Sequence, residues 1–352
     1  MRVLVVDDSS VSRMLVRAVL EGEGYEVREA QDGDEALRLL AVYTPDIVTM
    51  DVHMPGMDGY ETTARILELY ALPVVILTAS VDHFASSTAI RALEAGALAV
   101  LEKPTAPTSL DFADCVDELL RTLRNMAQVK IVRRKRRTAE DVGEASPLVT
   151  FGAECDPQLV VIAASAGGPL ALKALLQRLE PQPWPLALVQ HIAPGFLPSF
   201  RDWLATLTSM PVEVAEQSRR LLANTLYLAP DGRHLGFSAD RRVALYDGPP
   251  EDHVRPAANH LFRSAAQCFG KRAIGIQLSG MGRDGAQGLA ALCRRGALTL
   301  AQEPSSAVID SMPRAAIALQ AVRQALPPED IGQLLNAIAA RLVAPNGSDR
   351  RE

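Results

Sequence analysis

Twice along the chain, short apolar runs alternate with helical patterns, and no other feature narrows the fold as much. Between residues 1 and about 122 the runs are "RVLVVDD", "YEVREA", "PDIVTMD", "PVVILTAS" and "ALAVLEKP", spaced by stretches such as "SRMLVRAVLEG" and "GDEALRLLAVY". From 158 onward the alternation returns with "QLVVIAAS", "PLALVQH", "RAIGIQLSG" and "ALTLAQE". Strands that alternate with helices build parallel sheets covered by helices on both faces. The expected class is therefore α/β, and 352 residues call for two units rather than one core.

The boundaries follow from breaks in the pattern. Residues 1–123 form the first unit. Residues 124–154 hold six basic residues between Lys130 and Arg137, followed by acids, Gly, Ser and Pro. Such a stretch buries little apolar surface and reads as a flexible linker, with a docking contact to an acidic partner as the alternative. Residues 155–342 form the second unit, and 343–352 a tail. Within the second unit, "VEVAEQ", "TLYLAP", "HLGFSA" and "RVALYDG" are short and separated by turn residues. They read as an antiparallel β-hairpin excursion from a doubly wound, Rossmann-like sheet.

Charge and composition exclude several classes. A formal net charge of −6 is wrong for a general nucleic-acid binder, and no nucleic-acid partner is expected. No apolar run reaches the roughly 18–20 residues that span a bilayer, and the N-terminus lacks the apolar region of a signal peptide. Four scattered cysteines form no CxxC, which argues against a metal cluster or disulfide framework. The expectation is a cytoplasmic monomer that meets membranes only through its partners.

In the first unit, polar residues gather at strand ends. Asp7 and Asp8 end the first run, Asp51 the third, Thr78 the fourth, and Lys103 follows the fifth. The C-terminal ends of parallel strands meet at one edge, where ligands bind. Three carboxylates there suit a hard cation such as Mg²⁺, beside which one of them could accept a phosphoryl group. Lys103 and Thr78 could hold its oxygens, and a cis Lys103–Pro104 bond would aim the ammonium inward. His53 reads as a loop residue.

In the second unit, "LVVIAASAGGP" runs from a strand into six small residues and a proline. A phosphate cradle needs G-x-G-x-x-G with a later acid, or Gly-Lys-Ser/Thr, and neither is present. A nucleophile on a sharp strand-to-helix turn fits better, because only small neighbours fit such a turn. Ser165 is that nucleophile. His191 ends "PLALVQH" as its base, and Asp284 in "LSGMGRDGAQG" is the orienting acid. Taken singly, Ser165 reads equally well as a helix cap, His191 as a core histidine and Asp284 as a turn residue. Together they stand at one sheet edge. His234, His253 and His260 lack that placement, although His253 could line the cleft or cap a helix.

These motifs carry a resemblance. "VLVVDDS", "PDIVTMDVHMPGMDGYE", "ILTAS" and "EKP" resemble a two-component receiver domain of flavodoxin-like fold. "AASAGGP", "VQHIAPGF", "DHVRPAANHLFRSAA" and "AQEPSSAVIDSMPRAAI" resemble the catalytic domain of the chemotaxis protein-glutamate methylesterases. The resemblance implies Asp51 as phosphoacceptor, Asp7, Asp8 and Asp51 as Mg²⁺ ligands, and Thr78 and Lys103 as switch residues. It implies the triad Ser165, His191 and Asp284, with the Met281 backbone N–H in the oxyanion hole and no cofactor for hydrolysis. Ala163 stands where Gly is usual and Ala166 where Thr is common, so a hydroxyl beside the nucleophile is missing. The implied partners are a histidine kinase of a chemosensory system and methylated chemoreceptors. The implied reactions are hydrolysis of glutamyl methyl esters and deamidation of glutamine. The unphosphorylated receiver is expected to cover the Ser165 crevice until Asp51 is phosphorylated. Two alternatives stay open at this point: a serine esterase or amidase with another protein substrate, and a non-catalytic scaffold. A transcriptional regulator is disfavoured, since 158–342 lacks a helix-turn-helix and a basic face.

Overall fold

The computed structural model describes residues 1–78, 85–105, 109, 112–129, 131, 156–193 and 195–343. The basic linker and the tail fall almost wholly outside these residues. The chain divides into two compact units, 1–134 and 135–352.

The N-terminal unit runs β1 (Arg2–Val6), α1 (Ser10–Gly22), β2 (Glu26–Ala30), α2 (Gly33–Leu40), β3 (Ile47–Asp51), α3 (Gly59–Tyr70), β4 (Val74–Thr78), α4 (Ala85–Ala95), β5 (Ala99–Glu102) and α5 (Phe112–Met126). Its sheet is parallel in the order β2-β1-β3-β4-β5, the flavodoxin-like order. The period of two along β1 explains the layering. Val3 and Val5 pack with Val16 and Leu20 of α1 and with Leu119 and Leu123 of α5. Leu4 and Val6 face the other way, toward Ala36 and Leu40 of α2 and Ile66 of α3. Asp32 caps α2 through the Glu35 N–H at 2.7 Å, and Asp58 caps α3 through the Glu61 N–H at 2.8 Å; each cap is worth about 1 kcal/mol. Helix α5 runs on to Met126, past the expected boundary at 123, because Met126 and Ala127 still pack against the core.

The C-terminal unit continues with β6 (Leu159–Ala164), α6 (Gly168–Leu176), β7 (Leu186–Gln190), α7 (Leu197–Leu207), β8 (Val212–Val214), β9 (Leu226–Leu228), β10 (His234–Phe237), β11 (Val243–Tyr246), α8 (Ala258–Cys268), β12 (Ala273–Gln277), α9 (Ala286–Arg294), β13 (Leu298–Gln302), α10 (Ser311–Ala318), β14 (Gln324–Leu326) and α11 (Pro328–Val343). Seven strands form one parallel sheet in the order β14-β13-β12-β6-β7-β9-β8. The chain starts at β6, grows outward through β7, then returns to the other side of β6 with β12. The β6/β12 boundary is therefore the topological switch point, where open α/β sheets bind ligands.

The antiparallel excursion is smaller than the sequence suggested. Only β10 and β11 form a hairpin, while β8 and β9 join the main sheet in parallel with β7. Connection length separates the two cases. Residues 238–242 suffice for a hairpin, whereas 215–225 are long enough to carry the chain back across the sheet, as a parallel pair requires. Among the described residues no helix is long and apolar enough to cross a membrane.

Candidate active site

In the N-terminal unit the strand order reverses between β1 and β3, and the predicted acids collect there. Oxygens of Asp7, Asp8 and Asp51 lie within 4.8 Å of one another. Asp7 and Asp51 are buried and Asp8 is exposed. The Lys103 ammonium lies 2.8 Å from Asp7 Oδ2 and 2.9 Å from Asp51 Oδ1. Asp7 also accepts from the Ser9 N–H and the Ser12 hydroxyl at 2.9 and 2.7 Å. Two buried carboxylates thus share one ammonium. Burial pushes the Asp51 carboxyl above its usual range, and the hydrogen bond from Lys103 only partly offsets this. Burial also disfavours the Lys103 cation, but its bonds to Asp7 and Asp51 prevail and hold its pKa above the ordinary lysine value. Three hard oxygen donors with one compensating ammonium fit a divalent cation such as Mg²⁺. Thr78 is buried at the end of β4, and His53 is exposed. The Lys103–Pro104 bond is trans: Arg255–Pro256 is the cis bond among the described residues. Lys103 reaches both carboxylates without a cis bond.

In the C-terminal unit, Ser165 follows β6 and His191 follows β7. The register Ala164↔Gln190 makes them neighbours across adjacent strand ends. The His191 N–H donates to Ala164 O at 3.0 Å. From the other side of the switch point, Ser279 O accepts the Ser165 N–H, also at 3.0 Å. Ser165 is not the cap of α6: Gly167 takes that place at φ 74°, with no side-chain cap bond. An added Cβ at Gly167 would sit 2.6 Å from Ser279 Oγ, so both conformation and space require glycine there.

His191 Nε2 lies 3.1 Å from Asp284 Oδ2. The distance is that of an ion pair, yet the ring N–H is misaligned and makes no hydrogen bond. Catalytic contacts are often loose until substrate binds, and the distance is the better guide to which groups face each other. The carboxylate itself is firmly held. Asp284 Oδ2 accepts the Ala258 N–H at 2.6 Å and Oδ1 the Asn259 N–H at 2.9 Å. Asp284 therefore caps α8, where the helix dipole favours negative charge. The Asn259 side chain joins this clamp to its surroundings, donating to Asp252 Oδ2 and accepting the Gly288 N–H.

Met281 lies in a loop pinned on both sides. The Gly280 N–H donates to Ile309 O at 3.1 Å, and the Gly282 N–H to Ser311 Oγ at 3.0 Å. Between them, the Met281 N–H makes no hydrogen bond among the described residues. Gly280 is packed against Ser165, since an added Cβ would lie 2.8 Å from Ser165 Cβ. A free backbone donor beside the half-buried Ser165 suits a developing oxyanion.

The remaining histidines do other things. His234 is buried, with Nε2 2.9 Å from Pro249 O and Nδ1 accepting the Ala257 N–H. It stacks on His260, whose Nδ1 lies 3.3 Å from Glu251. His253 is exposed in a turn at φ 68° and does not cap α8, whose N-cap is Ala257.

Three residues that support the site were not singled out from the sequence. Gln190, Gln277 and Gln302 each end a strand and are buried. The Gln190 carboxamide donates to Ser165 O and His191 O. Gln277 donates weakly to Asp284 O, at 3.4 Å, and Gln302 accepts the Ser279 N–H. The signal was an amide closing each of the apolar runs "ALVQ", "IGIQ" and "TLAQ".

Comparison with known proteins agrees with the two-unit fold. Residues 160–335 match the family model of the CheB methylesterase, and residues 3–113 that of the response regulator receiver domain. A protein-glutamate methylesterase/protein-glutamine glutaminase of Hahella chejuensis is 45% identical over 96% of this chain and 98% of its own length. One from Methanospirillum hungatei is 39% identical over 97% of this chain and 99% of its own. The crystal structure of the Thermotoga maritima CheB methylesterase catalytic domain superposes with a TM-score of 0.50 at 30% identity, covering 51% of this chain and 98% of that one.

Proposed function

The chain belongs to the CheB methylesterase family and carries a response regulator receiver domain, and on that footing we propose that it is a phosphorylation-controlled protein-glutamate methylesterase and protein-glutamine glutaminase. Its substrates are glutamyl γ-methyl esters and glutamines of chemoreceptors. Ser165 Oγ attacks the ester carbonyl. With Nε2 of His191 facing Asp284, Nδ1 is the ring nitrogen left to take the serine proton. Asp284 stabilises the imidazolium that results. The oxyanion rests on the Met281 N–H. Methanol leaves with the proton from His191, and water cleaves the acyl-enzyme by the same groups in reverse. With a glutamine substrate the leaving group is ammonia and the acyl-enzyme is the same.

Control lies in the first unit. Asp51 accepts a phosphoryl group from a histidine kinase, and Lys103 and Thr78 bind its oxygens. Asp7, Asp8 and Asp51 would hold Mg²⁺, which neutralises charge on the transferring phosphoryl group. Phosphoryl-Asp51 raises hydrolysis by the second unit.

The observation that carries this reading is the 3.1 Å approach of His191 to Asp284 at the switch point, beside Ser165. The test is methanol release from receptor membranes carrying methyl esters, with and without a small-molecule phosphodonor. The wild-type chain should release methanol and be stimulated by the donor. Ser165→Ala should be inert, and Asp51→Asn should keep basal activity without stimulation. Undiminished release by Ser165→Ala would remove the triad from the mechanism.

A further inference from the structure

Gln190 is the side chain that spans the nucleophile and base loops. Its Nε2 lies 2.9 Å from Ser165 O and 3.0 Å from His191 O, so one NH₂ group uses both of its protons on the two loops. Its Oε1 is buried without a partner, against Gly168, where an added Cβ would lie 2.4 Å away. The amide cannot be reversed, because an oxygen would then face two carbonyl oxygens. An unpaired buried carbonyl is costly, and an apolar side chain of the same shape would not carry that cost.

The geometry points to Gln190 as a positioning residue for the hydrolysis proposed above, an inference that rests on the Ser165–His191–Asp284 reading. Its role is to set the separation and orientation of nucleophile and base. The Ser165 carbonyl accepts from Gly168 N at 2.7 Å as well as from Gln190. These two bonds fix the Ser165–Ala166 peptide plane, and with it the direction in which the serine side chain leaves the backbone. On the other loop, the His191 carbonyl is held by the same NH₂ group, so the imidazole cannot drift from the serine without breaking this part-buried bond. Reaction rates respond steeply to such placement.

The test compares three variants of the full chain. Gln190→Met keeps volume and removes both donors. Gln190→Glu replaces them with oxygens that face the two carbonyls. Gln182→Met is the control: Gln182 is also buried and donates to Glu180 O and Asn336 Oδ1, but it precedes β7 and lies at the opposite end of that strand. Methyl-ester hydrolysis and the rate of Ser165 acylation by a fluorophosphonate probe are measured together with thermal melting. Gln190→Met should lower kcat and probe acylation about ten- to a hundredfold with KM within about twofold, and Gln190→Glu should lose at least as much. Gln182→Met should leave kcat and acylation unchanged, whatever its melting temperature. Wild-type kcat and acylation in Gln190→Met would overturn the inference, as would an equal loss in Gln182→Met. Ser165→Ala run alongside separates the cases: if it too keeps activity, the triad reading fails rather than the role of Gln190.

Discussion

Asp284 gives His191 a carboxylate 3.1 Å away while both of its oxygens are already occupied by the N–H groups of Ala258 and Asn259. The carboxylate is thus fixed by the first turn of α8, and the imidazole faces it without a hydrogen bond. Asp284→Asn puts an NH₂ group opposite one of those backbone donors. Hydrolysis should fall by about 10⁴-fold, as when a triad acid becomes an amide. Stability should fall by about 1–3 kcal/mol for the orphaned donor. Steady-state kinetics and urea denaturation read the two losses separately, and a variant with near-wild-type kcat would rule out an orienting role for Asp284.

Gly280 offers a probe of the seat of Ser165, the proposed nucleophile. An added Cβ would lie 2.0 Å from Met312 Sδ and 2.8 Å from Ser165 Cβ. The methionine can yield, but the serine backbone is held by Ser279 and cannot. Gly280→Ala should cost about 1–3 kcal/mol in overpacking and should slow fluorophosphonate acylation of Ser165. Unchanged acylation would mean that the turn accommodates the methyl group without moving Ser165.

Lys103 compensates two buried carboxylates at once. Lys103→Met leaves Asp7 and Asp51 unpaired and should destabilise the first unit by about 3–5 kcal/mol. Added Mg²⁺ should recover part of that loss, since a bound cation stabilises the folded form that binds it. Denaturation curves in EDTA and in Mg²⁺ test this, and an Mg²⁺-independent midpoint would speak against a cation among Asp7, Asp8 and Asp51.

Gly59 begins α3 directly against the end of β3, which carries the proposed phosphoacceptor Asp51. An added Cβ would lie 1.9 Å from Asp51 O and 2.9 Å from Val52 Cα, both backbone atoms with little freedom to yield. Gly59→Ala should therefore cost at least about 1–3 kcal/mol and slow phosphorylation of Asp51, while basal ester hydrolysis persists. Phosphodonor-dependent labelling measures the first effect and methanol release the second.

The sheets were legible because their strands are buried on both faces, so "RVLVV", "IVTMD" and "LVVIAA" stand out as continuous apolar runs. The candidate site residues were legible as strand-end positions because each stands where such a run stops: Asp7, Asp51, Ser165 and His191. Less visible was anything that depends on contacts across long stretches of chain. The placement of β8 and β9 turns on the path of 215–225, whose composition suits a turn as well as a crossover. That Asp284 caps α8 rather than its own helix, α9, joins residues 26 and 25 positions apart. That Gln190 serves two loops requires knowing that both carbonyls point at it. Local pattern finds strand ends; it does not say what bridges them.

The hairpin of β10 and β11 divides the C-terminal unit in an instructive way. Ser165 and His191 precede it, and Asp284 follows it, so the hydroxyl and imidazole lie upstream of the β-turn and the carboxylate downstream. Nicked at the turn, the chain would yield one fragment with Ser165 and His191 and another with Asp284. On the proposed triad, neither piece would be a hydrolase by itself. Their reunion requires β12 to slot back beside β6, so strand pairing is what would rebuild the proposed site.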